Sequence, residues 1–337
     1  MKVREHLGSI KNNNKCHDQS NYGKGDNTLK KLIGWICILA LVSMALVGCG
    51  NQGVQRDDGK LHIVATTTML ADAVKVIGGD KVNVECLMGP GIDPHLYKAS
   101  AGDVAKMQRA DMIIYNGLHL EGKMGEIFED MTKQNKATLG AAETISEDKL
   151  ITGDSGGNHD PHVWFNVEFW IEVVKEIERT VSDYDQDNKE IYKANADNYI
   201  KELGSLHAYV EKRVEEVPEE KKVLITAHDA FGYFGNKYGF EVMGLQGLST
   251  ATEAGTADIK NLADYITENK IPAIFVESSV PPKNIEALQD AVAARGFKVE
   301  IGGELFSDSL GDPGSEEGTY IGTVKHNIDT IVDALIK

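Results

Sequence analysis

Thirty consecutive residues near the middle of the chain, 187–216, contain no proline and a single glycine. Lys, Glu, Leu, Tyr and Ile alternate densely there, and Ile191, Tyr192, Ala194, Tyr199, Leu203, Leu206, Tyr209 and Val210 approximate one helical stripe ahead of Pro218. At about 1.5 Å per residue the stretch predicts a helix roughly 45 Å long. Such a helix either packs within one domain or joins two domains as a stiff connector, and the patterns on both sides favour the second. Segments 61–66, 82–88 and 111–115 read as strands alternating with helical segments near 69–77, 100–109 and 125–133. The alternation returns after the long stretch, with strands at 222–226, 241–245, 273–277 and 298–301 and helices at 257–268, 283–294 and 318–336. Strands separated by helices build parallel βαβ units. The expected fold class is therefore α/β: an N-terminal lobe over 61–186, one long rigid linker helix over 187–217, and a C-terminal lobe over 218–337.

What precedes residue 61 reads as an address rather than as fold. Lys30 and Lys31 precede an uncharged apolar run, 32–47, that closes in Leu46-Val47-Gly48-Cys49. A basic region, a short apolar region and small residues in that order predict a secretory signal peptide over 1–48. The tetrapeptide resembles the bacterial lipobox, which implies diacylglycerol on the Cys49 thiol and cleavage just before it. A spanning anchor is the competing reading, but about 20 apolar residues are needed to cross a bilayer. The basic stretch ahead of Lys30 is long for a signal peptide, so the start of translation stays open. Residues 49–60 are polar and predict a flexible, lipidated tether. The expected location is the extracytoplasmic face of the cell membrane, held there by Cys49.

Charge and cysteine content narrow the partners. The leader carries seven basic and three acidic side chains, leaving 28 basic and 49 acidic from Cys49 onward. A surface that acidic speaks against nucleic acid. Of four cysteines, Cys16 and Cys37 fall in the leader and only Cys49 and Cys86 lie beyond it. Neither a disulfide framework nor a CxxC metal site can be built from them.

Histidines carry the chemistry. Beyond the leader there are eight: His62, His95, His119, His159, His162, His207, His228 and His326. His95 closes the turn-rich Gly89-Pro90-Gly91-Ile92-Asp93-Pro94-His95, and His162 sits in Asp160-Pro161-His162-Val163-Trp164-Phe165, so Asp-Pro-His occurs twice. Proline before each histidine restrains the backbone, which suits an imidazole held in a fixed direction. His228, in Thr226-Ala227-His228-Asp229-Ala230-Phe231, falls at the carboxyl end of a predicted strand, where open α/β sheets bind ligands. Asp308 lies beyond another strand, in Gly303-Glu304-Leu305-Phe306-Ser307-Asp308, where it is either a turn residue or a ligand. Three imidazoles and one carboxylate form a plausible four-ligand set for a borderline divalent ion.

These motifs, with Tyr115-Asn116-Gly117-Leu118, Gln246-Gly247-Leu248-Ser249-Thr250 and Gly318-Thr319-Tyr320, run in order through nearly the whole chain after the leader. In them the sequence resembles the metal-binding lipoproteins that serve ABC importers of manganese and zinc, particularly the TroA-like members. The resemblance implies two pseudo-symmetric α/β lobes bridged by a rigid helix, with metal held between them. It also implies His95 and His162 as ligands from the first lobe, His228 and Asp308 from the second, and an ABC permease with a cytoplasmic ATPase as partner. Manganese-binding relatives often have Glu as third ligand where this chain has His228, which leaves Zn²⁺ and Mn²⁺ both open as the transported ion. Zinc-dedicated relatives usually carry a long His-rich acidic loop before the second ligand, whereas here 151–159 contains only His159.

The other histidines are expected to be structural: His119 packing beside the site, His62 on a strand, His207 on the linker helix and His326 on the terminal helix, with His159 unassigned. Asp160, Asp229 and Glu253 are candidates to orient the ligating imidazoles by accepting their second N–H. The expectation is a monomeric binding protein, not an enzyme. The competing class is an extracytoplasmic metal-dependent hydrolase, and a surface adhesin would be an added role. A hydrolase needs an open coordination position and a general base beside it, and the sequence holds no His-Glu-x-x-His helix.

Overall fold

Strand β1 (Leu61–Ala65) lies at the centre of the N-terminal half, hydrogen-bonded in parallel to β2 (Val82–Cys86) on one side and β3 (Met112–Tyr115) on the other, with β4 (Ala137–Gly140) outside β3. This is a computed structural model, and it describes residues 59–153 and 157–337. The expected signal peptide and the Cys49 lipidation site lie outside the described residues, as does all but the end of the tether. Within β1 successive side chains enter opposite cores. Ile63 and Ala65 join the large cluster containing Trp170, while Val64 joins Met107, Ile113 and Phe128. A strand buried on both faces reads as a continuous apolar run, which is what Leu61 to Ala65 nearly is. Crossover helices α1 (Thr68–Gly78), α2 (Ala101–Arg109) and α3 (Gly125–Lys133) follow β1, β2 and β3. Helix α2 starts in a capping box, Ser100 Oγ accepting from Asp103 N–H at 3.2 Å and Asp103 from Ser100 N–H at 2.9 Å.

Helix α4 (Val167–Tyr184) and the long α5 (Lys189–Val214) then form an antiparallel pair. The 26 residues of α5 span about 39 Å. It is more than a strut. Tyr192, Ala196, Tyr199, Leu203, Leu206, Val210 and Val214 make a buried stripe that packs on α1 and α4 of the first half and on the terminal helix α9 (Tyr320–Leu335) of the second. Arg213 pairs with Asp329 at 2.8 Å and Asp333 at 2.6 Å, pinning its C-terminal end to α9. One apolar cluster accordingly runs through both halves.

The C-terminal lobe repeats the parallel arrangement in two pairs, β5 (Val223–His228) with β6 (Glu241–Gln246) and β7 (Ala273–Glu277) with β8 (Glu300–Leu305). Strand β5 packs beside β7, yet the described ladder stops between them, so this lobe lacks the continuous four-stranded sheet of the first. Helices α6 (Gly232–Tyr238), α7 (Thr256–Asn269) and α8 (Lys283–Ala293) complete it.

The expected strand at 298–301 is displaced to Glu300–Leu305 because Gly302 and Gly303 are inside it. Ile274 pairs with Ile301 and Val276 with Glu304, so β8 carries one extra residue, a bulge at the two glycines. A Cβ on Gly302 would lie 2.6 Å from Phe275 and 2.7 Å from Ala334, so glycine there lets α9 approach the sheet. Helices α4 and α6 and strand β4 were not among the expected elements, although Val167, Trp170, Val173, Val174, Ile177 and Val181 of α4 recur at helical spacing. Among the described residues no helix is long and apolar enough to cross a membrane.

Candidate metal centre

The two Asp-Pro-His loops share one local structure. Asp93 Oδ1 accepts the His95 N–H at 2.8 Å and Asp160 Oδ1 accepts the His162 N–H at 2.9 Å. Each is an Asx turn, in which the carboxylate closes the bend and proline fixes the backbone between. His95 thereby projects from the loop after β2, and His162 from the approach to α4. The loop after β3 supports the second copy: Asn116 Nδ2 donates to Pro161 O at 3.0 Å. That loop passes through left-handed Gly117, Leu118 and His119, held by the buried Glu121, which accepts from Asn116 N–H, Gly117 N–H and Thr66 Oγ1. From the second lobe, His228 is the last residue of β5, two residues later than the expected strand end, and Asp308 lies three residues beyond β8. Both are at carboxyl ends of parallel strands.

The four side chains meet in one buried cluster whose donor atoms all lie within 4.8 Å of one another. His162 and His228 are fully buried, and His95 and Asp308 are only 4 % and 2 % exposed. His95 Nε2 is 3.2 Å from His162 Nε2, His162 Nε2 is 3.6 Å from Asp308 Oδ1, and His228 Nε2 is 3.4 Å from Asp308 Oδ2. A tetrahedral shell with bonds of about 2.05 Å sets its donors about 3.3 Å apart, and these three spacings are close to that value. His228 Nε2 and Asp308 Oδ1 are buried without hydrogen-bond partners. Unpaired buried polar atoms are costly, and two imidazole lone pairs facing each other at 3.2 Å repel unless a cation or proton lies between them.

Each lobe grips one histidine at two points. His162 donates both its backbone N–H and its ring Nδ1–H, at 2.7 Å, to Asp160 Oδ1. His228 donates its N–H to Glu277 Oε1 at 2.8 Å and its Nδ1–H to Glu277 Oε2 at 2.5 Å. These bonds fix the tautomer with Nε2 turned into the cluster. Asp160 thus occupies the orienting position expected of it, whereas the partner of His228 is Glu277 and not Asp229 or Glu253; Glu253 is exposed and faces Asn284 and Lys283. Glu277 was legible only as an acid closing the apolar strand Ala-Ile-Phe-Val-Glu.

Burial and neighbouring charge act on His95, His228 and Asp308 in different directions. Burial drives the His95 imidazole down to about 3, so His95 is neutral. Burial also opposes charge on His228, but the Glu277 and Asp308 carboxylates outweigh it and hold His228 well above the ordinary histidine range. Asp308 lies below the usual carboxylate range because its three histidine neighbours, His228 foremost, overcome its burial. Two more buried acidic side chains, Asp160 and Glu277, border the cluster that contains Asp308, and together they favour a cation there.

The remaining histidines are elsewhere. His207 Nδ1 meets Tyr238 OH at 3.0 Å, His326 Nε2–H donates to Glu304 O at 3.0 Å, and His62 is on β1. His119 and His159 line a separate surface pocket with Glu143, away from the four clustered side chains. The other recurring motifs tie the lobes together: Trp164 Nε1–H donates to Ser307 O at 2.9 Å and Tyr320 OH to Trp164 O at 2.7 Å.

The family model for ZnuA, zinc-uptake complex component A, periplasmic, matches residues 63–334. The chain belongs to this family. Within the ZnuA family it is 46 % identical over 303 residues to the manganese-binding lipoprotein MntA of Bacillus subtilis, covering 90 % of this chain and 99 % of MntA. It is 48 % identical over 305 residues to the zinc-binding protein TroA of Treponema pallidum, covering 90 % of this chain and 98 % of TroA. The solved structure of the periplasmic zinc binding protein TroA from Treponema pallidum superposes with a TM-score of 0.80 at 50 % identity, covering 82 % of this chain and 99 % of that one. The two-lobe α/β fold with its long helix is therefore that of the ZnuA family.

Proposed function

We propose that this chain is an extracytoplasmic solute-binding protein that captures one divalent transition-metal ion, Zn²⁺ or Mn²⁺, and delivers it to the permease of an ABC importer powered by a cytoplasmic ATPase. The ion is cargo, held by Nε2 of His95, His162 and His228 and by the Asp308 carboxylate. The observation that carries this reading is the convergence of those four buried donors from both lobes at coordination spacing. A catalytic zinc site keeps one position for water, whereas four protein donors at these distances close a tetrahedral shell. That favours binding over hydrolysis.

The names of the two relatives point to different metals, and the donor chemistry decides the order of affinity. Three imidazoles place Zn²⁺ above Mn²⁺ in the divalent series. Mn²⁺ prefers more oxygen, which Asp308 supplies if both its oxygens bind. Calorimetry on protein stripped of metal is expected to show one equivalent of either ion, with Zn²⁺ displacing Mn²⁺. A stoichiometry of zero for both ions contradicts the function, and Mn²⁺ displacing Zn²⁺ contradicts the order.

Metal must also displace protons. His228 is held above its ordinary range, so it keeps a proton at neutral pH in the metal-free protein, while His95 is neutral and Asp308 ionised. Binding then releases about one proton, and apparent affinity rises about tenfold per pH unit up to the raised His228 value. Titration in buffers of different ionisation enthalpy reads this directly. A binding heat independent of buffer contradicts it.

At the membrane, a single acyl chain binds weakly and reversibly, so the diacyl group on Cys49 would provide the multi-chain attachment that keeps the protein near its permease. Cys49→Ala is expected to move the protein from the membrane fraction to the medium or periplasm. A variant that stays in the membrane fraction at the wild-type level points to a spanning anchor instead.

A further inference from the structure

With all four proposed ligands buried, an ion cannot leave unless part of the cage moves. His95 is the least buried of the four, and its loop is the most open part of the cage, with Ile92 41 % and Leu96 50 % exposed. That loop is tethered across the cleft at two points. Asp93 uses one oxygen inside the loop, on His95 N–H, and its other oxygen accepts from Thr250 Oγ1 at 2.5 Å. Gly91 N–H donates to Ser309 Oγ at 2.8 Å, beside Asp308.

The Thr250 end is itself anchored. Thr250 is 7 % exposed and follows β6, and the Gln246 side chain at the end of β6 donates to Thr250 O at 3.5 Å and to Thr252 O at 3.1 Å. Gln246 in turn is the register partner of His228 in the β5–β6 ladder. A chain of contacts thus runs from the His95 backbone through Asp93, Thr250 and Gln246 to the strand that presents His228.

We propose that Asp93 and Thr250 are positioning residues forming a clasp between the lobes, one that holds the His95 loop shut and sets the rate at which metal is released. This rests on the ligand assignment made above. Neither residue touches the ion in that assignment; the clasp acts through the loop. Breaking it raises the population of the open site, so release accelerates while entry of the ion, which already uses the open site, does not slow. The hydroxyl meets a carboxylate, so the bond is of the charge-assisted kind.

The test uses Thr250, because Asp93 also holds the His95 turn. The full chain is loaded with Zn²⁺ and mixed with excess fluorescent chelator, and the release rate is followed by stopped flow for wild type, Thr250→Val and Thr250→Ser. Thr250→Val loses the hydroxyl at nearly constant volume and is expected to release Zn²⁺ roughly tenfold faster, with an association rate no slower than that of wild type. Thr250→Ser keeps the hydroxyl and is expected to release at the wild-type rate. A wild-type release rate in Thr250→Val overturns the clasp, and so does an equal acceleration in Thr250→Ser, which would mark lost packing instead. A wild-type protein that retains no Zn²⁺ in the same assay overturns the ligand assignment itself, an outcome distinct from either.

Discussion

Replacing any one of His95, His162, His228 or Asp308 by alanine will remove most of the rise in melting temperature that a divalent metal produces in the wild-type protein. An ion that binds only the folded state stabilises it by RT ln(1 + [L]/Kd), about 4 kcal/mol at a thousandfold excess over Kd. For a folded body of this size that is a shift of roughly 7 °C. Each substitution removes one of four donors, and a three-donor remnant loses both bond energy and the closed geometry. The variants differ without metal. His228→Ala strands the buried Glu277 carboxylate, so it should also melt lower in the metal-free state, whereas His95→Ala strands no carboxylate, lies in a loop whose Ile92 and Leu96 are exposed, and should melt close to wild type. Differential scanning fluorimetry with and without Zn²⁺ measures both effects. A metal-induced shift that survives all four substitutions places the ion elsewhere.

The second large effect is expected at a residue that touches no metal. Glu277 accepts two hydrogen bonds from His228 and is 3 % exposed. Glu277→Ala should weaken Zn²⁺ binding by about 10- to 100-fold, the usual cost of removing the partner that orients a ligating imidazole. Glu277→Gln keeps an acceptor for the Nδ1–H but loses the charge that raises His228. Its metal binding should therefore be intermediate, and its proton release at neutral pH should shrink because His228 is no longer held protonated. Isothermal titration at two pH values separates these outcomes. Wild-type affinity in Glu277→Ala would mean that β5 alone fixes the imidazole.

Most of the architecture was legible because its signals are local. The expected helix at 187–216 became Lys189–Val214, with Tyr192, Tyr199, Leu203, Leu206 and Val210 of the expected stripe buried while Ile191 and Ala194 face solvent and Tyr209 is half-buried, and the strand–helix alternation located seven of the eight described strands. The four clustered side chains were legible for a similar reason: a repeated Asp-Pro-His and two residues near strand ends are patterns within a few positions of one another. What escaped the sequence depends on partners far away. Glu277 grips a histidine 49 positions earlier, and nothing in Ala-Ile-Phe-Val-Glu specifies which strand will lie beside it. Asp229, adjacent to His228, was the nearer candidate by sequence, but the side chain after a strand residue points to the opposite face. The bulge in β8 was hidden because two glycines in a row read as a turn, and only the close approach of Phe275 and of Ala334 on α9 to Gly302 explains them as strand. The shared core escaped for the same reason, since a stripe on α5 shows that the helix is buried but not that both lobes bury it.

The central claim is that three imidazole nitrogens and one carboxylate, drawn from two lobes, hold a single ion. Anomalous diffraction at the zinc absorption edge, on crystals of the protein loaded with one equivalent of Zn²⁺, tests it most directly. One peak per molecule is expected, about 2.0–2.2 Å from Nε2 of His95, His162 and His228 and from an Asp308 oxygen. A principal peak elsewhere, such as in the surface pocket that holds His119 and His159, with the four-residue cluster empty, would contradict it.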